Sequence, residues 1–66
     1  MKIKDLRIAA GLSQVELADR MKVGQATIAG WESGDYHPAA DKLPQLADAL
    51  HCTIDALFGR ETENTA

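Results

Sequence analysis

Apolar residues in this chain recur at intervals of three and four, in runs of only two or three turns, and glycine or proline separates most runs from the next. That spacing lines one face of a 3.6-residue helix and shows none of the alternation of a strand. It admits short helices around one core and little else. Ile3, Leu6 and Ala10 mark a first helix that Gly11 stops. Ser13 is placed to cap a second, with Glu16 three residues on to close a capping box. That helix carries Val15, Leu17, Ala18 and Met21, and Lys22-Val23-Gly24 ends its pattern. A third stretch, Gln25 to Ser33, sets Ile28 and Trp31 one turn apart before Gly34.

Asp35-Tyr36-His37-Pro38 reads as a loop, because the residue before a proline is pushed out of helical geometry. Leu43, Leu46, Ala47 and Leu50 then make the cleanest helical stripe in the chain. Pro44 fits only in the first turn of that helix, which leaves Asp41 and Leu43 as alternative caps. His51-Cys52 is a short break, at which histidine tolerates left-handed geometry. Thr53 caps a last helix, expected to bury Ile54, Leu57 and Phe58 before Gly59 ends it. The expectation is an all-α, compact five-helix domain over residues 1–59, with a polar tail at 60–66 that frays.

At 66 residues the chain is one small domain with a thin core, too short for a doubly wound sheet or a barrel. Its longest apolar runs are far below a membrane span, and its opening Met1-Lys2-Ile3-Lys4-Asp5 lacks the apolar stretch of a secretory signal. One cysteine makes no internal disulfide, and Cys52 is expected to be a small buried apolar residue. His37, His51 and Cys52 do not have a metal-site spacing, and no nucleophile stands near a base and an oxyanion donor. The chain is therefore expected to be cytoplasmic, not an enzyme, and without metal, cofactor, small-molecule substrate or membrane partner. The net charge of −3 is uneven: residues 1–34 carry five Lys and Arg against four Asp and Glu, and residues 35–66 carry two against six. An anionic partner would meet the N-terminal half first.

The second and third helices are short and joined by about three residues, the shape of a helix-turn-helix, though any small bundle shows similar stripes. Ala18 is the small residue such a crossing needs, and Leu17, Met21 and Ile28 are its apolar anchors. Gly11-Leu12-Ser13-Gln14-Val15-Glu16-Leu17-Ala18 and Ile28-Ala29-Gly30-Trp31-Glu32-Ser33-Gly34, with Pro38 and Leu46-Ala47-Asp48-Ala49-Leu50 after them, resemble the phage-repressor family. This is the Cro and lambda-repressor-like, Xre-type helix-turn-helix family, and the resemblance runs from about Ile3 to Phe58.

That resemblance implies a DNA-binding transcriptional regulator, of phage or bacterial repressor type, whose third helix enters the major groove of double-stranded DNA. It implies a weak homodimer on a palindromic operator, with contacts from Ile54, Ala56 and Phe58. Ser13 and Gln14 would grip phosphate at the start of the second helix, where free N–H groups favour an anion, and Ser13 would also serve as the N-cap. Gln25 would read adenine, braced by Gln14, although a solvated surface amide is the plain alternative. Ala26, Ala29 and Gly30 fill the rest of the base-contacting face. Alanine can touch a thymine methyl, and Gly30 either leaves room for the duplex backbone or a neighbour to come close or is ordinary sequence drift. Thr27 and Ser33 are further phosphate donors or plain surface hydroxyls. Arg7 and Glu32 would form a semi-buried ion pair that leaves guanidinium donors for phosphate.

Three residues depart from the family pattern. Lys22 stands where the turn usually has glycine, so it must be left-handed or change the turn. Gly24 replaces the usual hydroxyl cap of the third helix, and Asp35 lies in a loop that often carries cations for phosphate. An alternative function is a protein-interaction module with a decayed DNA face, using Tyr36, Trp31 or the acidic C-terminal half. An antitoxin that binds both DNA and a toxin is a further one.

Overall fold

Five α-helices form where the apolar spacing places them. The structure, a computed structural model, describes residues 1–59, so the tail expected at 60–66 lies outside the described residues. The helices are α1 (Ile3–Ala9), α2 (Gln14–Met21), α3 (Gln25–Ser33), α4 (Leu43–Leu50) and α5 (Ile54–Leu57). One turn of 3-10 helix, Ala40–Lys42, precedes α4. Among the described residues there is no strand, and no helix is long and apolar enough to cross a membrane.

Local chemistry sets most boundaries. Ser13 Oγ accepts the Glu16 N–H at 3.0 Å, and Glu16 Oε1 accepts the Ser13 N–H at 2.7 Å, which closes the capping box of α2. The bond from the Ser13 N–H is the largest cause that holds the Glu16 carboxyl below its ordinary range. Lys22 takes the left-handed conformation, φ 60°, rather than altering the turn. Its cost of about 1–2 kcal/mol is the strain of a Cβ in that region. His51 does the same after α4, φ 55°. Thr53 Oγ1 accepts the Ala56 N–H at 3.0 Å and starts α5.

The start of α4 differs from both expected caps. Neither Asp41 nor Leu43 caps it. The 3-10 turn runs straight into the helix with Lys42 already in right-handed geometry, and the Lys42 N–H bonds the Ala39 carbonyl at 2.8 Å. A preceding turn that occupies the opening N–H groups leaves no call for a side-chain acceptor.

Ile3, Leu17, Met21, Ile28, Leu46 and Leu57 are fully buried, joined by Ala18, Trp31, Ala47 and Leu50. Every helix contributes, and α2 packs on both α3 and α4 while α1 packs on α3. The Lys2 N–H bonds the Leu57 carbonyl at 2.7 Å, tying the two ends of the domain together. Burial of each large side chain supplies about 1.5–3 kcal/mol, which is what holds so short a set of helices in place. Cys52 is half-buried against this core, and burial pushes its thiol pKa up.

Two apolar placements differ from the expected ones. Val15 is 58% exposed, because it lies two residues before Leu17 and so on the far side of α2. In α5 only Leu57 is buried, and Ile54 and Phe58 are exposed. A helix of four residues has one inward position, and Leu57 takes it. Ile54 and Phe58, four apart, share the outward side.

Candidate nucleic-acid interface

A chain of polar side chains runs from α1 to the first residue of α3. Arg7 Nε donates to Glu32 Oε2 at 2.6 Å and Nη2 to Oε1 at 3.3 Å. Arg7 Nη1 donates to the Leu12 carbonyl at 2.8 Å, so the guanidinium also braces the turn between α1 and α2. Gln14 Nε2 donates to Glu32 Oε1 at 3.0 Å, and Gln14 Oε1 accepts from Gln25 Nε2 at 3.2 Å. The Arg7 and Glu32 side chains are only 12% and 5% exposed. Burial alone would raise the Glu32 pKa. The bonds from Arg7 and Gln14, with the charges of Arg7 and Lys4, outweigh it and hold the carboxyl below its ordinary value.

This chain sets the direction of each amide. A carboxylate only accepts, so Gln14 must turn its nitrogen to Glu32 and its oxygen to Gln25. Gln25, exposed at the N-terminus of α3, is left with its own oxygen and one N–H facing out. Three of the five guanidinium donors of Arg7 are occupied inside the domain, which leaves two for an outside acceptor.

At the start of α2, Ser13 accepts through its oxygen and keeps its hydroxyl proton. The N–H groups of Gln14 and Val15 stand ahead of the first intrahelical bond, from Leu17 N–H to the Ser13 carbonyl at 3.0 Å. They point out of the helix end, where the dipole favours an anion. Thr27 is half-buried one residue inside the exposed Ala26. Ser33 differs from the expected phosphate donor. Its hydroxyl donates to the Gly30 carbonyl at 3.1 Å and accepts the Asp35 N–H at 3.4 Å, so its one proton is used to close the helix end.

Gly30 also differs from its expected role. It is buried, and what covers it is the ring of Tyr36 from the following loop. A Cβ at position 30 would overlap that ring, so the close neighbour expected for this glycine is Tyr36. Tyr36 Oη donates to the Ala26 carbonyl at 3.2 Å, while the residue as a whole stays 49% exposed. Ala26 is exposed and Ala29 half-buried beside it. Sequence reasoning placed Tyr36 in a loop and missed its contact with α3. The helix-interior glycine six residues earlier was the signal that something comes close.

Asp35 is exposed next to this ring. Met1, His37, Pro38, Leu43 and Phe58 line an open apolar groove of about 400 Å³. Phe58 belongs to its lining, Ile54 is exposed four residues earlier, and Ala56 is half-buried between them in sequence.

Residues 3–57 match the protein family described as helix-turn-helix. Among curated proteins, the chain is 36% identical over 62 residues to the HTH-type transcriptional regulator AnsR of Bacillus subtilis, covering 94% of this chain and 53% of that protein. It is 36% identical over 64 residues to the cryptic phage CTXphi transcriptional repressor RstR of Vibrio cholerae, covering 91% of this chain and 57% of that one. It is 33% identical over 63 residues to the HTH-type transcriptional regulator YgzD of Bacillus subtilis, covering 96% of each. The chain thus spans about half the length of AnsR and RstR and nearly all of YgzD. No solved structure matches it.

Proposed function

This chain belongs to the helix-turn-helix family, and on that premise we propose that it is a sequence-specific DNA-binding transcriptional regulator, of phage or bacterial repressor type. It reads the major groove with α3 and acts in the cytoplasm, as a weak homodimer on a two-fold site. It is a binding protein and not an enzyme.

The observation that carries this reading is the oriented amide of Gln25. Gln14 and Glu32 hold it so that one acceptor and one donor face outward. Those are the groups that meet N6–H and N7 of adenine in the major groove. A surface glutamine with no partner would lose rotamer freedom on binding, and this one has lost it already. Ser13, the opening N–H groups of α2 and the remaining Arg7 donors supply phosphate contacts that set register. The outward pair Ile54 and Phe58, with Ala56, supplies the dimer contact.

The interaction-module reading loses one of its surfaces, because Trp31 is buried in the core, and Tyr36 lies against α3. Selection of binding sites from random duplexes, followed by a salt titration, tests the proposal. A two-fold symmetric site is expected, with log K falling against log salt by about 0.9 per phosphate neutralised. Absence of any enriched site at low salt overturns it. Sedimentation of Ile54→Glu and Phe58→Glu variants on a two-fold duplex tests the dimer surface, whose loss should leave one protomer per half-site.

A further inference from the structure

We propose that Tyr36 is a second base-reading residue, seated against α3 by Gly30, and that it selects an A·T pair next to the one Gln25 addresses. The proposal rests on the DNA-reading role of α3 given above. Its starting point is that Gly30, one turn after Ala26, is a notch in the recognition helix, and an aromatic ring fills it. Glycine is a poor residue for a helix interior. Here it is what lets residue 36 lie where a side chain from residue 30 would otherwise project.

The loop is built to hold the ring there. Gly34 turns the chain back at φ 87°, a conformation open to glycine at little cost. The N–H groups of Gly34, Asp35 and Tyr36 then converge on the Gly30 carbonyl at 3.1, 3.1 and 3.5 Å. At the far end of the side chain, Tyr36 Oη donates to the Ala26 carbonyl at 3.2 Å. The ring therefore runs along α3 from Gly30 back toward Ala26, and half of the residue remains open.

That placement determines what the ring can recognise. The phenolic proton is occupied by Ala26, so the oxygen meets an outside partner as an acceptor. The open half of the ring and the exposed Ala26, whose carbonyl the phenol bonds, supply an apolar patch beside it. An A·T pair presents both complements in the major groove, the adenine N6–H group and the thymine methyl. A G·C pair also offers an amine, on cytosine, but no methyl. The acceptor alone would tolerate both pairs, and the apolar patch makes the choice.

Binding-site selection with the full 66-residue chain and with Tyr36→Ala, Tyr36→Phe and Gly30→Ala variants tests this. Circular dichroism melts establish that each variant is folded at the selection temperature. The unsubstituted chain should prefer A·T beside the Gln25-dependent base pair by about tenfold, a typical mismatch cost. Tyr36→Ala should abolish that preference and leave the Gln25 position intact. Gly30→Ala, which adds one methyl and displaces the ring, should do the same at the same base pair. Tyr36→Phe should keep part of the preference through the methyl contact. An unchanged preference in Tyr36→Ala overturns the proposal, and so does an equal loss at every base pair, which would mark Tyr36 as a support of the loop alone. If Tyr36→Ala fails to fold, Gly30→Ala and Tyr36→Phe decide by the same readout. An enriched site that depends on Gln25 but not on Tyr36 refutes this inference alone. No enriched site for the unsubstituted chain refutes it together with the DNA reading.

Discussion

Replacing Arg7 with Met tests the polar chain at its source. Methionine keeps an apolar stem against α3 but removes the charge and two of the three hydrogen bonds that reach Glu32. Glu32, only 5% exposed, would then hold a carboxylate with Gln14 as its one remaining donor. Leaving a buried charge uncompensated costs about 3–5 kcal/mol. A chain of this length has a total stability of about 3–10 kcal/mol, so the loss is a third of it or more. In melting temperature that is a fall of roughly 12–40 °C. Urea denaturation followed by the fluorescence of buried Trp31 and by far-UV circular dichroism measures it. The double variant Arg7→Met, Glu32→Leu removes both charges and should return to within about 1 kcal/mol of the starting protein. The loss in the single variant should also shrink at mildly acidic pH, where protonation relieves Glu32. A single-variant cost below about 1 kcal/mol, the value of a solvated surface pair, would refute the reasoning.

Gln25→Ala should weaken binding to the selected site by about 1–3 kcal/mol and leave random DNA unaffected, as measured by parallel titrations on both duplexes. Asp35→Lys should strengthen binding to every sequence alike and steepen the salt slope by up to about one unit, since a new ammonium beside α3 releases a counterion without reading a base. Lys22→Gly should stabilise the domain by about 1 kcal/mol in urea denaturation by relieving the left-handed strain at φ 60°. The Glu32 carboxyl is held below its ordinary value of 4.5, so the unfolded chain takes up this proton first on acidification. Its contribution is present above that value and lost as pH falls through the folded one. Glu32→Gln should flatten that acid limb of stability against pH.

Much of the fold is legible in the sequence because its causes are local. Ser13 and Glu16 close a box within one turn, and Thr53 caps α5 through a neighbour three residues away. Gly11, Gly34 and Gly59 all adopt positive φ at helix ends, as their positions after apolar runs foretell. The pairing of Arg7 with Glu32 and of Gln14 with Gln25 is visible only through family resemblance, since 25 and 11 residues separate the partners. Spacing states which residues share a face of a helix, but not which faces meet another helix. That is why Val15 and Phe58 turn out exposed and why a 3-10 turn, rather than a side chain, opens α4. The candidate site shows the same division. Gln25 is placed at the head of α3 by local signals, whereas its amide direction is decided by a carboxylate from the far end of the same helix and an amide from α2. The glycine at position 30 is plain in the sequence. Only the tertiary structure decides that a tyrosine fills the space it leaves, because that depends on how the loop after α3 turns back on the helix.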